Sequence, residues 1–513
     1  MVKVISLEEA AELVKDNQTV STEGFLRAQF PEQLSIALKE RYLKTGSPKN
    51  LTYFYVAGQG FGTGHGADHF GQEGMIKRVV AGHYNLAPSI GKLAAENKIE
   101  AYNLPQGTLA QLLRDMAAGK PGTVTHVGLK TFVDPRLDGG KLNSATKEDI
   151  VEVVTLGGKE QLFYKKHDVD VCFLRGSLAD ERGNISYENE PLTMGNVSLA
   201  QATKRNGGIV IVQVAQIVKA GTLRAHDVKV PGIYVDYVVV VPMEENVDPI
   251  PMNMVDALAG NKPVPTSSIT PMPLDERKII GRRGAMALVP NAAVNLGIGV
   301  PEAVASVANE EGIGDYMTLT VEAGPVGGVP NGGALFGSSV NPECILDQAY
   351  QFDFYDGGGL DLAYLGLAEC DEMGNINVSK MGPRITGCGG FINITQNAKR
   401  VFFCGSFTAK GLKIKADSGK LIIENEGSVK KFLKKVNHVT FSGEYARQVK
   451  QPVLYLTERC VFELKNDGLH LIEVAPGIDI DKDILAHMEF KPIVKEPKLM
   501  DARIFTNAVM GIK

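Results

Sequence analysis

The six residues Asp180-Glu-Arg-Gly-Asn-Ile185 return almost unchanged as Asp371-Glu-Met-Gly-Asn-Ile376. The offset (371 − 180 = 191) also lays the β-type run from Asp170 on the run from Asp361, and the two are of equal length. Near the start of each half a similar run leads through glycine to Pro-Glu. It reads Thr22-Glu-Gly-Phe up to Pro31-Glu32 in the first half, and Asn295-Leu-Gly-Ile-Gly-Val-Pro301-Glu302 in the second. Two matches in the same order point to one architecture used twice. A chain of 513 residues has room for this, since a domain takes roughly 100 to 200 residues.

The repeated unit alternates strands with helices. Strand-type runs are Thr19–Thr22, Leu51–Val56, Ile99–Asn103, Val169–Arg175, Ile209–Val214 and Ile233–Val241, with amphipathic stretches such as Pro31–Tyr42 and Thr108–Ala118 between them. Strands separated by helices need crossover connections, which predict an α/β fold with a largely parallel sheet. Val238 to Val241 is an unbroken valine run, expected of a strand buried on both faces. Seven of the 25 prolines then fall between Pro242 and Pro273, and proline breaks both helices and inner strands. The expectation is two homologous open-sheet domains, residues 1–242 and 276–513, joined by a proline-rich linker at 243–275. A duplicated pair of this kind concentrates ligand sites at its strand ends and clefts.

Composition removes several functional classes. A net charge of −5 offers no basic field for nucleic acid or an anionic membrane. No stretch approaches the roughly 18 apolar residues that span a bilayer. Residues 1–16 read as a helix opened by the capping box Ser6-Leu7-Glu8-Glu9, since Glu8, Glu9 and Glu12 interrupt any signal-peptide core. Six dispersed cysteines without a Cys-x-x-Cys suit reduced thiols and a cytoplasmic location.

Candidate chemistry sits at glycine-rich turns. Thr318-Leu-Thr-Val runs into Glu322, followed at once by Ala-Gly-Pro-Val-Gly-Gly328. A carboxylate there is either a turn residue accepting amide hydrogen bonds or an exposed reactive group, and spacing alone leaves both open. Gly297, Gly299 and Gly387-Cys-Gly389-Gly390 are either tight turns or clusters of backbone N–H groups able to hold an oxyanion or a phosphate. Ala57-Gly-Gln-Gly-Phe-Gly-Thr-Gly-His-Gly66 invites a nicotinamide-dinucleotide reading, but its glycines alternate where Gly-x-Gly-x-x-Gly is needed, so a surface or lid loop is expected. His65 and His69 lack an accompanying ligand set, and no metal is expected. The lysine-rich stretches 410–415 and 430–435 are read as solvated faces, one of which is available to an anionic cofactor arm.

The chain resembles the class I (family I) coenzyme A transferases in their fused two-domain form, closest to the acetate, propionate and lactate group. The resemblance covers nearly the whole chain. It rests on Pro105-Gln106-Gly107-Thr108, Asn295 to Pro301, Glu322 to Gly328, Gly387 to Gly390 and Ala409-Lys410-Gly411, in that order. It implies that Glu322 is the nucleophile that becomes a glutamyl-CoA thioester. It also implies that Gln106, Gly389 and Gly390 surround the acyl group or the oxyanion, and that Asn295, Gly297, Gly299, Gly387 and Lys410 hold coenzyme A. Expected partners are short-chain acyl-CoAs and carboxylates, with no resident cofactor, in a homo-oligomer of two or four chains. Two sites depart from the family text: Ala323 follows the glutamate, and Thr22-Glu23-Gly24-Phe25-Leu26-Arg27 lacks the usual paired glycines. Rival readings are an acyl-CoA hydrolase using the same glutamate, a CoA-ester sensor and a dehydrogenase.

Overall fold

The computed structural model describes residues 2–242, 254–265 and 272–512. Of the proline-rich stretch 243–275, residues 243–253 and 266–271 therefore lie outside the described residues. The chain divides into two compact units. One comprises Met1–Pro265, Val321–Asp353 and Gly382–Asn393, and the other Thr266–Thr320, Phe354–Met381 and Ile394–Lys513.

In the first unit eight strands form one sheet, in the order Lys3–Val4, Tyr237–Val240, Ile209–Val214, Val171–Arg175, Thr19–Thr22, Leu51–Tyr55, Ile76–Ala81, Glu100–Asn103. Every neighbouring pair is parallel. Alternate residues such as Val20, Tyr53, Tyr55, Val79, Val171, Phe173 and Ile211 share a buried core with Ala10, Leu34, Leu38 and Ile90. Those four lie on helices Leu7–Leu13, Glu32–Thr45 and Pro88–Ala95. Helix Asn196–Arg205 packs on Val171–Arg175 and Ile209–Val214, and also on helix Gln106–Ala117. The Ser6–Glu9 capping box forms as expected, each side chain bonding the other's amide.

The second unit carries parallel strands in the order Met317–Thr320, Ala292–Leu296, Leu362–Gly366, Val401–Cys404, Val453–Leu456. The sheet continues through antiparallel Cys460–Lys465 and Gly468–Val474 to Ile493–Leu499. Helix Glu276–Ala285 is capped by Asp275 and packs on Ala303–Glu310 over the core of this unit. The first five strands repeat the order Leu51–Tyr55, Thr19–Thr22, Val171–Arg175, Ile209–Val214, Tyr237–Val240 of the first unit.

Three local expectations are corrected. The strand expected over Ile233–Val241 is confined to Tyr237–Val240, because Pro231 opens a 3-10 turn at Gly232–Tyr234. Val240 is 45 % exposed, since the neighbouring strand pairs only with Tyr237 and Val238. Lys431 does not belong to a solvated face. It is buried, donates to Ser406 O at 2.8 Å, and burial pulls its ammonium down to about 8.

Candidate active site

Strands Ile76–Ala81 and Glu100–Asn103 end side by side, and the loop 386–390 with the start of helix Phe391–Asn397 is stitched onto their C-terminal ends. Tyr84 N donates to Thr386 O at 2.8 Å, and Gly389 N donates to Gly82 O at 2.8 Å. Cys388 N donates to Asn103 Oδ1 at 2.9 Å, while Asn103 Nδ2 bonds Ala81 O and Gly82 O. Gln106 N, at the start of its helix, donates to Gly389 O at 2.9 Å, and Gly107 N to Asn393 Oδ1 at 3.1 Å. So tight a seam needs glycine at two positions. Gly387 has φ +84°, and a Cβ there would stand 2.7 Å from His83 Cα. Gly389 has φ +52°.

Glu322 rises from a turn built by its neighbours. Val321 N donates to Pro325 O and Gly324 N to Val321 O, both at 2.9 Å. Gly324 has φ +124°, and a Cβ on it would stand 2.2 Å from Leu346 O. Val321 and Ala323 are buried against Phe25, Ala57, Leu192 and Met194, so the residues on both sides of the glutamate are anchored. Its carboxylate lies against Gly390, where a Cβ would come within 2.2 Å of Oε2 and 3.0 Å of Phe352 Cζ.

Glu322 makes no hydrogen bond or ion pair with any described residue. It keeps a partial opening to solvent, yet the protein packed around it pushes its carboxyl up to about 7. The turn-residue reading, in which amides satisfy the carboxylate, does not describe this geometry. Burial also pushes the thiol of adjacent Cys388 well up, and the charge of Glu322 adds to the push.

The expected residues fall into two groups. Glu322, Gln106, Gly387, Gly389 and Gly390 belong to the first unit. A Cβ on Gly389 would lie 3.7 Å from Gln106 Oε1, so Gln106 and Glu322 converge on the Gly389–Gly390 peptide. Gln106 is 1 % exposed and its Nε2 is unpartnered among the described residues. The expectation that Gly389 offers an oxyanion donor needs correction. Its N–H is spent on Gly82 O, whereas Gly390 N–H makes no bond to a described residue.

Asn295, Gly297, Gly299 and Lys410 belong to the second unit. Asn295 donates Nδ2 to Thr320 O at 3.1 Å and Tyr355 OH at 3.4 Å, holding two strands of its own sheet. Gly297 packs against Leu365, and Gly299 takes φ +88° with open space where a side chain would be. Lys410 is exposed at the end of a short strand.

Four residues of the seam on which the glutamate rests were not anticipated from the sequence: His83, Asn103, Phe352 and Asn393. Only His83 carried a usable signal, since Gly82-His83 follows an apolar strand at its C-terminal end. Its imidazole is half-buried, and burial holds it down at about 4. The loop at Glu23 is equally unusual. Glu23 has no exposed surface and neither carboxyl oxygen reaches a well-formed hydrogen bond. Burial raises it to about 8, Asp347 adds to the rise, and the amides of Gly24 and Gly195 oppose it. The glycine loop 58–66 folds on itself, with Gly66 against Gly60, and His65 and His69 both turn to Glu32.

Among the described residues no helix is long and apolar enough to cross a membrane. A sequence model described as Coenzyme A transferase matches residues 4–241. The chain is 46 % identical to caffeate CoA-transferase of Acetobacterium woodii, over 100 % of this chain and 99 % of that one. It is 43 % identical to acetate CoA-transferase YdiF of Escherichia coli (strain K12), over 99 % and 96 %. The crystal structure of the acyl-CoA transferase YdiF apoenzyme from Escherichia coli O157:H7 superposes with a TM-score of 0.94 at 42 % identity, covering 99 % of this chain and 97 % of that one. Its thioester complex with CoA gives 0.92. An unneutralised glutamate on a glycine seam, two sheets of one strand order and relatives matched along their whole length lead to one conclusion: this chain belongs to the coenzyme A transferase family, as a fused two-domain member.

Proposed function

We propose that the protein moves coenzyme A between a short-chain acyl-CoA and a short-chain carboxylic acid, with Glu322 as the carrier. The observation that carries this reading is the Glu322 carboxylate, held against Gly390 without a hydrogen-bond partner and shifted to about 7. A carboxylate stripped of solvation and partners is a better nucleophile than one in water. It attacks the thioester carbonyl, the C–S bond breaks, and an acyl-glutamyl anhydride and CoA thiolate result. The thiolate then attacks the glutamyl carbonyl and expels the first acid as its carboxylate, leaving CoA on Glu322. A second acid reverses both steps.

Each step passes through a tetrahedral oxyanion. Gly390 N–H is the backbone donor at hand, and such a donor is worth about 3 kcal/mol in related chemistry. Gln106 Nε2 serves the acyl oxygen. Asn295, Gly297, Gly299, Gly387 and Lys410 are assigned to coenzyme A by their motifs. The chemistry asks for no metal or redox group. The thioester complex solved for a relative supports the covalent carrier. We also propose a cytoplasmic homo-oligomer.

Incubation with acetyl-CoA or propionyl-CoA and no acceptor is expected to leave a CoA-sized mass adduct on the Glu322 peptide. Adding acetate, propionate or lactate removes it and yields the new acyl-CoA. Turnover that proceeds with an unmodified Glu322 would overturn the carrier role. Turnover at an unchanged rate without any acid would make the protein a hydrolase. Relatives with acetate and caffeate in their names make caffeate the informative additional acceptor.

A further inference from the structure

Three polar groups without a protein partner meet around Gly389 and Gly390. Two of them, the Glu322 carboxylate and the Gln106 amide, whose Oε1 faces Gly389 and whose Nε2 is buried without a partner, have roles in the proposed function. The third is His83. Its backbone is fixed from three directions: Gly82 O accepts Gly389 N, Tyr84 N donates to Thr386 O, and Tyr55 OH donates to His83 O at 2.7 Å. Its Nδ1 is buried with no hydrogen bond, and a Cβ on Gly58 would stand 2.8 Å from it. The opposite edge of the ring faces the seam, since a Cβ on Gly389 would lie 3.9 Å from Cδ2. Nε2 is bonded to Cδ2, the ring atom that faces the same Gly389 position as Gln106 Oε1.

A space-filling ring at this place would be better as leucine or phenylalanine, because an unsatisfied buried ring nitrogen costs about 1–3 kcal/mol. Buried polar groups left without partners gather at functional sites. Charge decides the kind of role. A cationic imidazole would pair with Glu322 and quench the nucleophile, whereas a neutral ring still offers one N–H and leaves the carboxylate free. The substrate acid is an anion with acceptor oxygens only, so a neutral donor beside Gln106 is what its reacting end requires.

We infer that His83 is a substrate-contacting residue whose Nε2–H donates to the acyl oxygen, opposite the oxyanion donor at Gly390. This rests on the carrier role of Glu322. No proton is transferred: the bond strengthens as the acyl carbonyl gains negative charge in the tetrahedral state and relaxes when that state expels CoA thiolate and re-forms the carbonyl as the anhydride.

Three variants test the inference: His83→Ala, His83→Gln and His83→Asn. Glutamine places an amide nitrogen close to the position of Nε2, and asparagine close to Nδ1. Adduct formation from acyl-CoA and discharge of the adduct by acetate are expected to fall together, about 100-fold in His83→Ala. His83→Gln should stay within about tenfold of the unaltered chain, and His83→Asn should behave like alanine. Cleavage of the glutamyl thioester by hydroxylamine, which brings no acyl group, should change less than about twofold in all three. A general loosening of the site would move that control as well. If His83→Ala does not fold, the contrast between glutamine and asparagine still decides, and equal activity of that pair overturns the inference. Acetate discharge within about twofold of normal in His83→Ala, with a normal adduct, overturns it alone. Absence of any adduct in the unaltered chain overturns the carrier reading and this inference together.

Discussion

The two halves agree where backbone must be held and differ where chemistry is done. In the turn at Asp180, Oδ1 accepts the amides of Arg182 and Asn184 and Oδ2 accepts Asn184 Nδ2. In the turn at Asp371, Oδ1 accepts Met373 and Asn375 and Oδ2 accepts Asn375 Nδ2. Gly183 and Gly374 take φ +85° and +77°, and each asparagine accepts a distant amide, from Gly232 or Gly443. Strand register carries the comparison to the strand ends. Thr22 pairs with Phe173 and Tyr55, while Leu296 pairs with Tyr364, the residue 191 positions after Phe173. Extending the register lays Val56-Ala57-Gly58 on Glu322-Ala323-Gly324, and Glu23 on Gly297. One half has its acid at the end of the middle strand, the other at the end of the neighbouring strand. The hydrogen-bonded turns are common to both halves, and at the matching strand end one half has Val56 where the other has Glu322.

That contrast can be tested at its sharpest point first. Replacing Glu322 with glutamine keeps the shape and removes the proposed nucleophile, and transfer should fall at least about 10⁴-fold in a steady-state assay. Residual transfer above that level would mean the second half does not owe its activity to this position. Gly390→Ala is expected to cost about 100-fold in kcat, because its Cβ occupies the place of Glu322 Oε2. Thermal unfolding should meanwhile show the fold retained, and an active alanine variant would show that the carboxylate need not touch the seam. The pH profile comes next. In the proposed mechanism only ionised Glu322 attacks, so kcat/KM for acyl-CoA should drop tenfold per pH unit as pH falls below about 7. A limb near 4.5 would mean that the burial seen here is lost in solution.

The counterpart acid leaves the reaction alone and acts on stability. Below pH 4.5 Glu23 is protonated whether the chain is folded or not, and it contributes nothing to pH dependence. Between 4.5 and about 8 the unfolded chain releases the proton while the folded one keeps it, so stability declines as pH rises. Above about 8 the decline is complete. Glu23→Gln should therefore stabilise by about 4 kcal/mol at pH 8 and close to none at pH 4.5, measured by denaturant unfolding. A variant equally stable at both, relative to the unaltered chain, would show Glu23 to be solvated or paired.

Much of the scaffold is legible in the sequence because it depends on short-range pattern. Strand Ile209–Val214 has the bounds its β-branched run predicts, and helix Gln106–Ala117 differs from the expected 108–118 by two residues at its start. That small shift matters, since it makes Gln106 the first residue of the helix. Glu322 is legible as a carboxylate between a strand and glycines, but its lack of partners is not, since that depends on what packs around it. The seam is invisible in one dimension: Asn103 and Cys388 meet across 285 residues, and Gly107 and Asn393 across 286. The exhausted amide of Gly389 follows from the same long-range pairing. Lys431 misled for a related reason, as a lysine cluster gives no sign that one member turns inward to a carbonyl.

The isolation of Glu322 also bears on the proposed carrier role, in which a carboxylic acid side chain must hold CoA. In water, exchanging a thioester onto an ordinary carboxylate is close to neutral in free energy. Here the ionised side chain is the unfavourable partner, raised by up to about 3 kcal/mol relative to an uncharged state. The thioester is uncharged. In that role, the packing that withholds solvent from the carboxylate biases the exchange towards CoA on the protein by as much as about 100-fold, before any contact with the CoA arm is counted. A resting site that is uncomfortable when empty is, by the same measure, a site that stays loaded until the next acid arrives.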